Sequence, residues 1–287
     1  MIRFEPQHFK EIEDYIWEFS GILLERVPKK GVTERIKKHI EGVGVTNVAD
    51  YLGLLKSPAM VPIRDQLISQ ITVNESYFFR NPAHFRYLAH ELLPALFEQK
   101  LKLNLKQISM WSAGCATGEE AYSLAYVTTW FKRKHAGVRL HILGTDINMC
   151  CIEKARKGEF RKRSFRPNSQ IILDELKESL GVEKNEIFQV DPLIRDEVLF
   201  KYFNLKELAS IRTMNKMDMI FCRNVLIYFD DTFRMELIQS FYEVLNPGGY
   251  LFLGETESLP HGQTLFELKN CNGAFCYRKS SHQGQGK

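Results

Sequence analysis

The chain has 287 residues, 44% of them hydrophobic and 26% charged, with a formal net charge of +4. That balance is ordinary for a soluble globular protein, and the length allows one large domain or a large and a small one. No apolar run approaches the roughly 18 residues that cross a membrane, the net charge is too small to point to nucleic acid, and Met1–His8 lacks a charged-then-apolar leader. The six cysteines (Cys115, Cys150, Cys151, Cys222, Cys271, Cys276) form no Cys-x-x-Cys pair and no zinc-spaced Cys/His cluster. No metal is therefore expected, and a reducing cytoplasm is the natural compartment.

Along residues 7–24, Phe9, Ile12, Ile16, Phe19 and Leu23 recur at helical spacing, so an amphipathic helix is expected there. Further helices are expected at 33–41, 47–55 and 62–72. With no strand signal before residue 105, residues 1–72 read as a small all-helical domain. Residues 73–105 read as a connecting lid and linker helix. In it Asn81-Pro82 supplies an N-cap and a first-turn proline, and the helix runs toward Gln99.

From Gln107 the pattern alternates. Strands are expected at 107–112, 139–145, 197–203, 217–222 and 249–254, and helices at 117–132, 148–157 and 231–245, the first opened by a Thr117-x-x-Glu120 capping box. Residues 273–277 read as one more strand, antiparallel at the sheet edge. Such alternation predicts an α/β domain over 106–280 with a mostly parallel sheet. The forty or so residues between Gly158 and Val198 exceed a usual connection. Regular apolar residues in them predict an inserted subdomain at about 159–197, and the polar residues 281–287 a flexible tail.

The most informative stretch is the strand Gln107–Ser112 followed by Ala113-Gly114-Cys115-Ala116-Thr117-Gly118 and a helix, with Asp146 at the end of the next strand. Glycines let a backbone approach a ligand, and an acid at that strand end can accept ribose hydroxyls. A dinucleotide site carries three glycines and aims a helix N-terminus at a pyrophosphate. Here Glu119-Glu120 follow Gly118 at once and would repel it. They suit a ligand with a ribose and a positive charge, and S-adenosylmethionine is such a ligand. Asp146 as the N-cap of the following helix, and Glu119 or Glu120 as a partner of the helix dipole, are the alternative readings.

A second cluster, Ile220-Phe-Cys-Arg223-Asn224-Val-Leu-Ile-Tyr228, ends a buried strand in donors that suit an anionic acceptor; a surface Arg and a packed Tyr are the alternative. The Asn/Asp-Pro-Pro-Tyr and Pro-Cys signatures of base methyltransferases are missing from this chain. A third cluster, Asn74-Glu-Ser76-Tyr-Phe-Phe79-Arg80, reads as an exposed aromatic lid over a cofactor, or else as a domain junction.

Together the clusters resemble the chemotaxis receptor methyltransferases (the CheR family), which methylate glutamates on chemoreceptor signalling helices. The resemblance covers nearly the whole chain. It rests on Asn74–Arg80, Trp111–Ser123, Thr145-Asp-Ile147, Phe203-Asn-Leu205, Phe221–Phe229 and Pro247–Ser258, in order. It implies a Rossmann-like class I S-adenosylmethionine methyltransferase with a helical N-terminal domain and an inserted β-rich subdomain, releasing S-adenosylhomocysteine. Asn74, Ser76, Arg80, Gly114, Glu120, Asp146, Asn204, Leu205, Arg223 and Asn224 would bind the cofactor, with Asp146 on the ribose and Asn204-Leu205 beside the adenine. Arg80 and Tyr228 would lie nearest the reacting atoms. Ser76 stands where Thr is usual, and Glu255 where His is frequent. The implied partner is the cytoplasmic helical bundle of a chemoreceptor, met by a monomeric cytoplasmic enzyme recruited to receptor clusters. Arg26, Lys29, Lys30, Arg35, Lys37 and Lys38, against the single acid Glu34, form a basic stretch that would steer such an acidic substrate. A different carboxylate acceptor, or a non-catalytic scaffold that binds the cofactor, are the rival functions.

Overall fold

The computed structural model describes residues 5–28, 31–177, 179–259, 264–271 and 273–280; Lys29, Lys30 and the tail 281–287 lie outside them. Helices α1 (Pro6–Ser20), α2 (Val32–Val43), α3 (Val48–Lys56) and α4 (Val61–Ile71) come first. Then α5 (Pro82–Tyr87) runs through a π-turn at Leu88–Leu92 into α6 (Leu93–Lys102). Pro94 has no N–H for the carbonyl four residues earlier, so the hydrogen-bond register widens there.

Next follow β1 (Gln107–Ala113), α7 (Glu119–Lys134), β2 (Arg139–Asp146), α8 (Met149–Lys157) and β3 (Glu159–Arg161). The chain continues with α9 (Pro167–Leu176), β4 (Gly181–Lys184), β5 (Ile187–Val190), α10 (Pro192–Arg195), β6 (Val198–Tyr202) and α11 (Leu208–Arg212). Last come β7 (Met217–Cys222), α12 (Asp231–Val244), β8 (Leu245–Leu253), β9 (Phe266–Asn270) and β10 (Phe275–Lys279). None of the described helices is long and apolar enough to cross a membrane.

Seven strands form one sheet in the order β6-β2-β1-β7-β8-β10-β9. The first five are parallel, and β10 and β9 close the edge antiparallel. Connections from β1 run outward through β2 to β6, then return to β7 on the other side of β1. That reversal opens a crevice at the carboxyl ends of β1 and β7. This is the doubly wound, Rossmann-like arrangement expected from the alternation. A separate antiparallel sheet, β3-β5-β4, lies within the inserted segment.

Both faces of the large sheet are covered, which is why β7 is buried at every position. Ile108, Met110, Met219, Phe221 and Phe252 pack with α5–α7 and the inserted segment. Trp111, Leu143, Ile220, Leu251 and Leu253 pack with α1–α4 and α12. One apolar core therefore runs from the N-terminal helices into the sheet.

Several local expectations change. The first helix stops at Ser20 rather than reaching 24, because Gly21 turns left-handed (φ 75°) and its N–H donates to the Trp17 carbonyl at 2.8 Å. Asn81 precedes α5 at φ 61° with no side-chain cap. Thr117 is not the cap of α7 either: Gly118 takes that place, and the Thr117 hydroxyl donates to Glu119. Strands β3, β4 and β9 have no counterpart in the sequence reading, being short and, in β4 and β9, mostly exposed. A Cβ added at Gly21 would stand 2.5 Å from the Phe233 ring. Gly21→Ala should therefore destabilise the fold by about 1–3 kcal/mol in urea unfolding, and an unchanged midpoint would show that this close approach is not limiting.

Candidate cofactor site

The crevice is a cleft whose space, counted out into its open mouth, is about 990 Å³. Its floor is the turn after β1. Gly114 adopts φ 79°, and a Cβ there would meet Val225 at 2.5 Å, so the backbone can lie this close to the β7 loop only as glycine. Gly118 (φ 98°) is packed the same way against Ala155 and Phe200.

Asp146 ends β2 at the cleft wall. Its Oδ2 accepts the Ala116 N–H and its Oδ1 the Asn148 N–H, both at 2.8 Å, so it holds the glycine turn open. Asn148, not Asp146, caps α8. Burial pushes the Asp146 carboxyl above its ordinary range, opposed by the N–H groups of Asn148, Ala116 and Ile147.

The two acids that open α7 divide their work. Glu119 is buried and accepts from Thr117 and Ser164. Glu120 lines the cleft, accepting from Ser112 Oγ at 2.7 Å and from Arg223 Nη1 at 3.0 Å. Burial raises its pKa, and the pull of Arg223 and the hydrogen bond from Ser112 offset that in part.

Arg223 is not the surface residue of the alternative reading. Its side chain is 2% exposed, and Nη2 donates to the Arg80 carbonyl at 2.6 Å. Its Nε is buried with no hydrogen-bond partner, a spare donor on a residue that lines the cleft. Asn224 follows at φ 61°.

Sequence reasoning missed Glu257. This carboxylate is 8% exposed and accepts the N–H groups of Gly254, Asn224 and Ile227 at 2.7, 2.6 and 3.2 Å. It ties the end of β8 to the loop that carries Tyr228. The motif around it was visible, but a role made of backbone contacts leaves no local signal.

The segment Asn74–Arg80 forms the opposite wall through Asn74, Ser76, Tyr77 and Arg80. The expectation of exposed aromatics is corrected here. Phe78 and Phe79 are both fully buried, and only their polar neighbours face the cleft. Asn204 and Leu205 line the far end with Phe203 and Ile147. Asn204 Nδ2 donates to the Phe19 carbonyl, which joins α1 to this edge. Tyr228 also lines the cleft, and burial raises its phenol pKa.

The basic stretch is only partly gathered. Arg35 and Lys38 share one face of α2, with Arg35 Nε donating to the Gln70 carbonyl and Lys37 paired to Glu34 at 3.2 Å. Arg26 lies before α2 and donates to the Phe229 carbonyl.

The residues fit a ligand with a ribose, an apolar ring system and a cation. Two buried carboxylates, Asp146 and Glu120, line the cleft with Arg223 as the ion-pair partner of Glu120 alone, and Phe203, Leu205 and Ile147 make one end of it apolar. Fold and cleft together are those of a class I methyltransferase dependent on S-adenosylmethionine. The family model described as "CheR methyltransferase, SAM binding domain" matches residues 74–275. A Vibrio cholerae protein named chemotaxis protein methyltransferase 2 is 33% identical over 96% of this chain and 94% of its own length. Chemotaxis protein methyltransferases of Borreliella burgdorferi (32%, covering 87% of each chain) and Escherichia coli (31%, covering 91% of this chain and 88% of that one) are also similar. The chain belongs to the CheR methyltransferase family.

The raised pKa of Glu120 carries a pH signature. Ionised Glu120 is disfavoured in the ligand-free fold, so its effect on stability is favourable at low pH and is lost as pH rises through the raised value. The α-ammonium group of S-adenosylhomocysteine, a thioether without the sulfonium charge, would favour the ionised form. Affinity for S-adenosylhomocysteine should therefore fall as pH is lowered from neutral through the range just above ordinary carboxylate values. Calorimetry in two buffers of different ionisation enthalpy should detect the proton released on binding. A flat pH profile, or one unaltered in Glu120→Gln, would remove Glu120 from the binding equilibrium.

Proposed function

We propose that this enzyme forms methyl esters on glutamate side chains of a chemoreceptor's cytoplasmic helices, as a cytoplasmic protein recruited to receptor clusters. The observation that carries the reading is the make-up of the cleft lining. Arg80 and Tyr228 supply donors, there is no His or Lys among the described lining residues, and the lining carboxylates are engaged: Asp146 by backbone N–H groups, Glu120 by Ser112 and Arg223, Glu75 by Arg166. An acceptor that must lose a proton needs a base. A glutamate carboxylate is already ionised at neutral pH and needs none.

The bound cofactor supplies an electrophilic methyl group on a sulfonium. Asp146 would take the ribose hydroxyls, Glu120 the cationic end, the Arg223 Nε the anionic end, and Asn204 with Leu205 the adenine. Gly114 and Asn224 let the backbone close around it, and Asn74 and Ser76 complete the wall. Arg80 and Tyr228 orient the incoming carboxylate and exclude water, which is where alignment lowers the barrier. Tyr228 stays a neutral donor at neutral pH, where an ordinary phenol does not ionise and burial raises this one further. Charge is neutralised as the ester forms, so a few donors suit the reaction better than a dense cationic pocket, which would favour the ground state.

Labelled methyl transfer to glutamate-bearing receptor fragments, followed by mild base, tests this directly. Base-released methanol is expected; label that resists base would mean another acceptor. Arg80→Ala and Tyr228→Phe should each lower turnover by about ten- to a hundredfold while leaving the acid–base profile unchanged in shape. A new pKa in that profile would show that one of them moves a proton.

The acceptor helices are acidic around their glutamates, and Arg35 with Lys38 on α2 would steer them. Reversing both to Glu should raise the apparent KM several-fold at low salt, with kcat little altered. An unchanged KM would exclude α2 from substrate recognition.

A further inference from the structure

The inserted segment holds the Asn74–Arg80 wall by its backbone. The Phe78 N–H donates to the Ser164 carbonyl at 2.9 Å, and the Phe78 carbonyl accepts from Ser169 Oγ at 2.5 Å. Between those two bonds the Phe78 ring enters an aromatic socket made by the insert. It stacks on Phe165 at 4.6 Å and meets Phe160 and Phe188 edge-on at 4.9 and 6.2 Å. The socket is closed from within, since Phe165 and Phe188 are 4.8 Å apart.

Contacts on either side extend the grip. Glu75 pairs with Arg166 at 3.2 Å, and the guanidinium groups of Arg80 and Arg166 lie 5.5 and 5.6 Å from the Tyr77 ring. Ser164 also reaches Glu119, the neighbour of Glu120. On the side of the main sheet, the Phe79 N–H donates to Ser123 Oγ at 2.9 Å. Phe79 and Asn81 are non-glycine residues at φ 53° and 61°, conformations that persist only where the surroundings impose them.

We propose that the inserted segment is a positioning device for the cofactor wall: Ser169, Phe165 and Phe188 act through Phe78 to hold Asn74, Ser76 and Arg80 in their binding arrangement. None of the three lines the cleft. Release of the clasp leaves the wall to be ordered when the ligand arrives, and that ordering is subtracted from affinity. By reciprocity, whatever tightens the grip on Phe78 raises affinity for the cofactor. The proposal concerns cofactor binding alone, so it stands or falls independently of which acceptor is methylated.

The test compares full-length Ser169→Ala, Phe188→Ala, Phe188→Leu and Val182→Ala by calorimetric titration with S-adenosylhomocysteine, at a temperature well below each variant's melting point. Val182 is on β4 of the same small sheet, 66% exposed and outside the socket. Ser169→Ala and Phe188→Ala should weaken binding about five- to twentyfold, Phe188→Leu should recover most of it, and Val182→Ala should match wild type. Ser169→Ala removes one hydroxyl and keeps the readout available if Phe188→Ala does not fold. Wild-type affinity in folded Ser169→Ala would overturn the proposal. So would an equal loss in Val182→Ala, which would mean that any weakening of the small sheet has the same effect.

Discussion

The site depends on one buried ion pair. Arg223 and Glu120 meet at 3.0 Å with side chains 2% and 14% exposed. Taking both charges from water is expensive, and their attraction repays it only when the remaining polar atoms find partners. Ser112 on β1 and the Arg80 carbonyl on the opposite wall are such partners, and Arg223 Nε is left over as a donor. A pair formed for electrostatic reasons thereby fixes four pieces of chain around one cleft. It also leaves Glu120 less than fully compensated, which suits it to a cationic ligand.

A second constraint is geometric. The turn after β1 must pass within van der Waals distance of the β7 loop, and only glycine at 114 permits it. Asp146 and Glu257 then act alike, each using its carboxylate oxygens to accept backbone N–H groups of a loop. Loops at the carboxyl edge have lost the ladder partners that strands supply. Buried carboxylates replace those partners and keep the cleft open.

The N-terminal helices are fastened to the same edge. The Leu23 N–H donates to the Tyr228 carbonyl at 2.9 Å, Trp17 Nε1 to Asp230, Asn204 to Phe19, and Asn148 to Thr72. The helical segment, the insert and the sheet loops therefore converge on one crevice.

Periodicity and turn chemistry were enough to read the alternating strands, the long helices, the glycine turn and Asp146, because each depends on neighbours in sequence. They failed where a residue's role is set by distant partners. Phe78 and Phe79 looked like an exposed lid, yet a socket of rings from residues 160, 165 and 188 buries the first of them. Arg223 could be read as surface or site until Glu120 was found beside it. Asn81 and Thr117 carry capping residue types, but backbone angles imposed by packing took the caps away. Glu257 lay in a visible motif, but nothing local signalled the backbone groups it holds. The sequence by itself determined the layers, the cofactor class and the end of the sheet where the cleft opens, since local pattern and chain reversal dictate these. Only the tertiary structure decided which charges pair, which aromatic rings are buried and which loop each carboxylate holds, because those energies arise between residues tens to hundreds of positions apart.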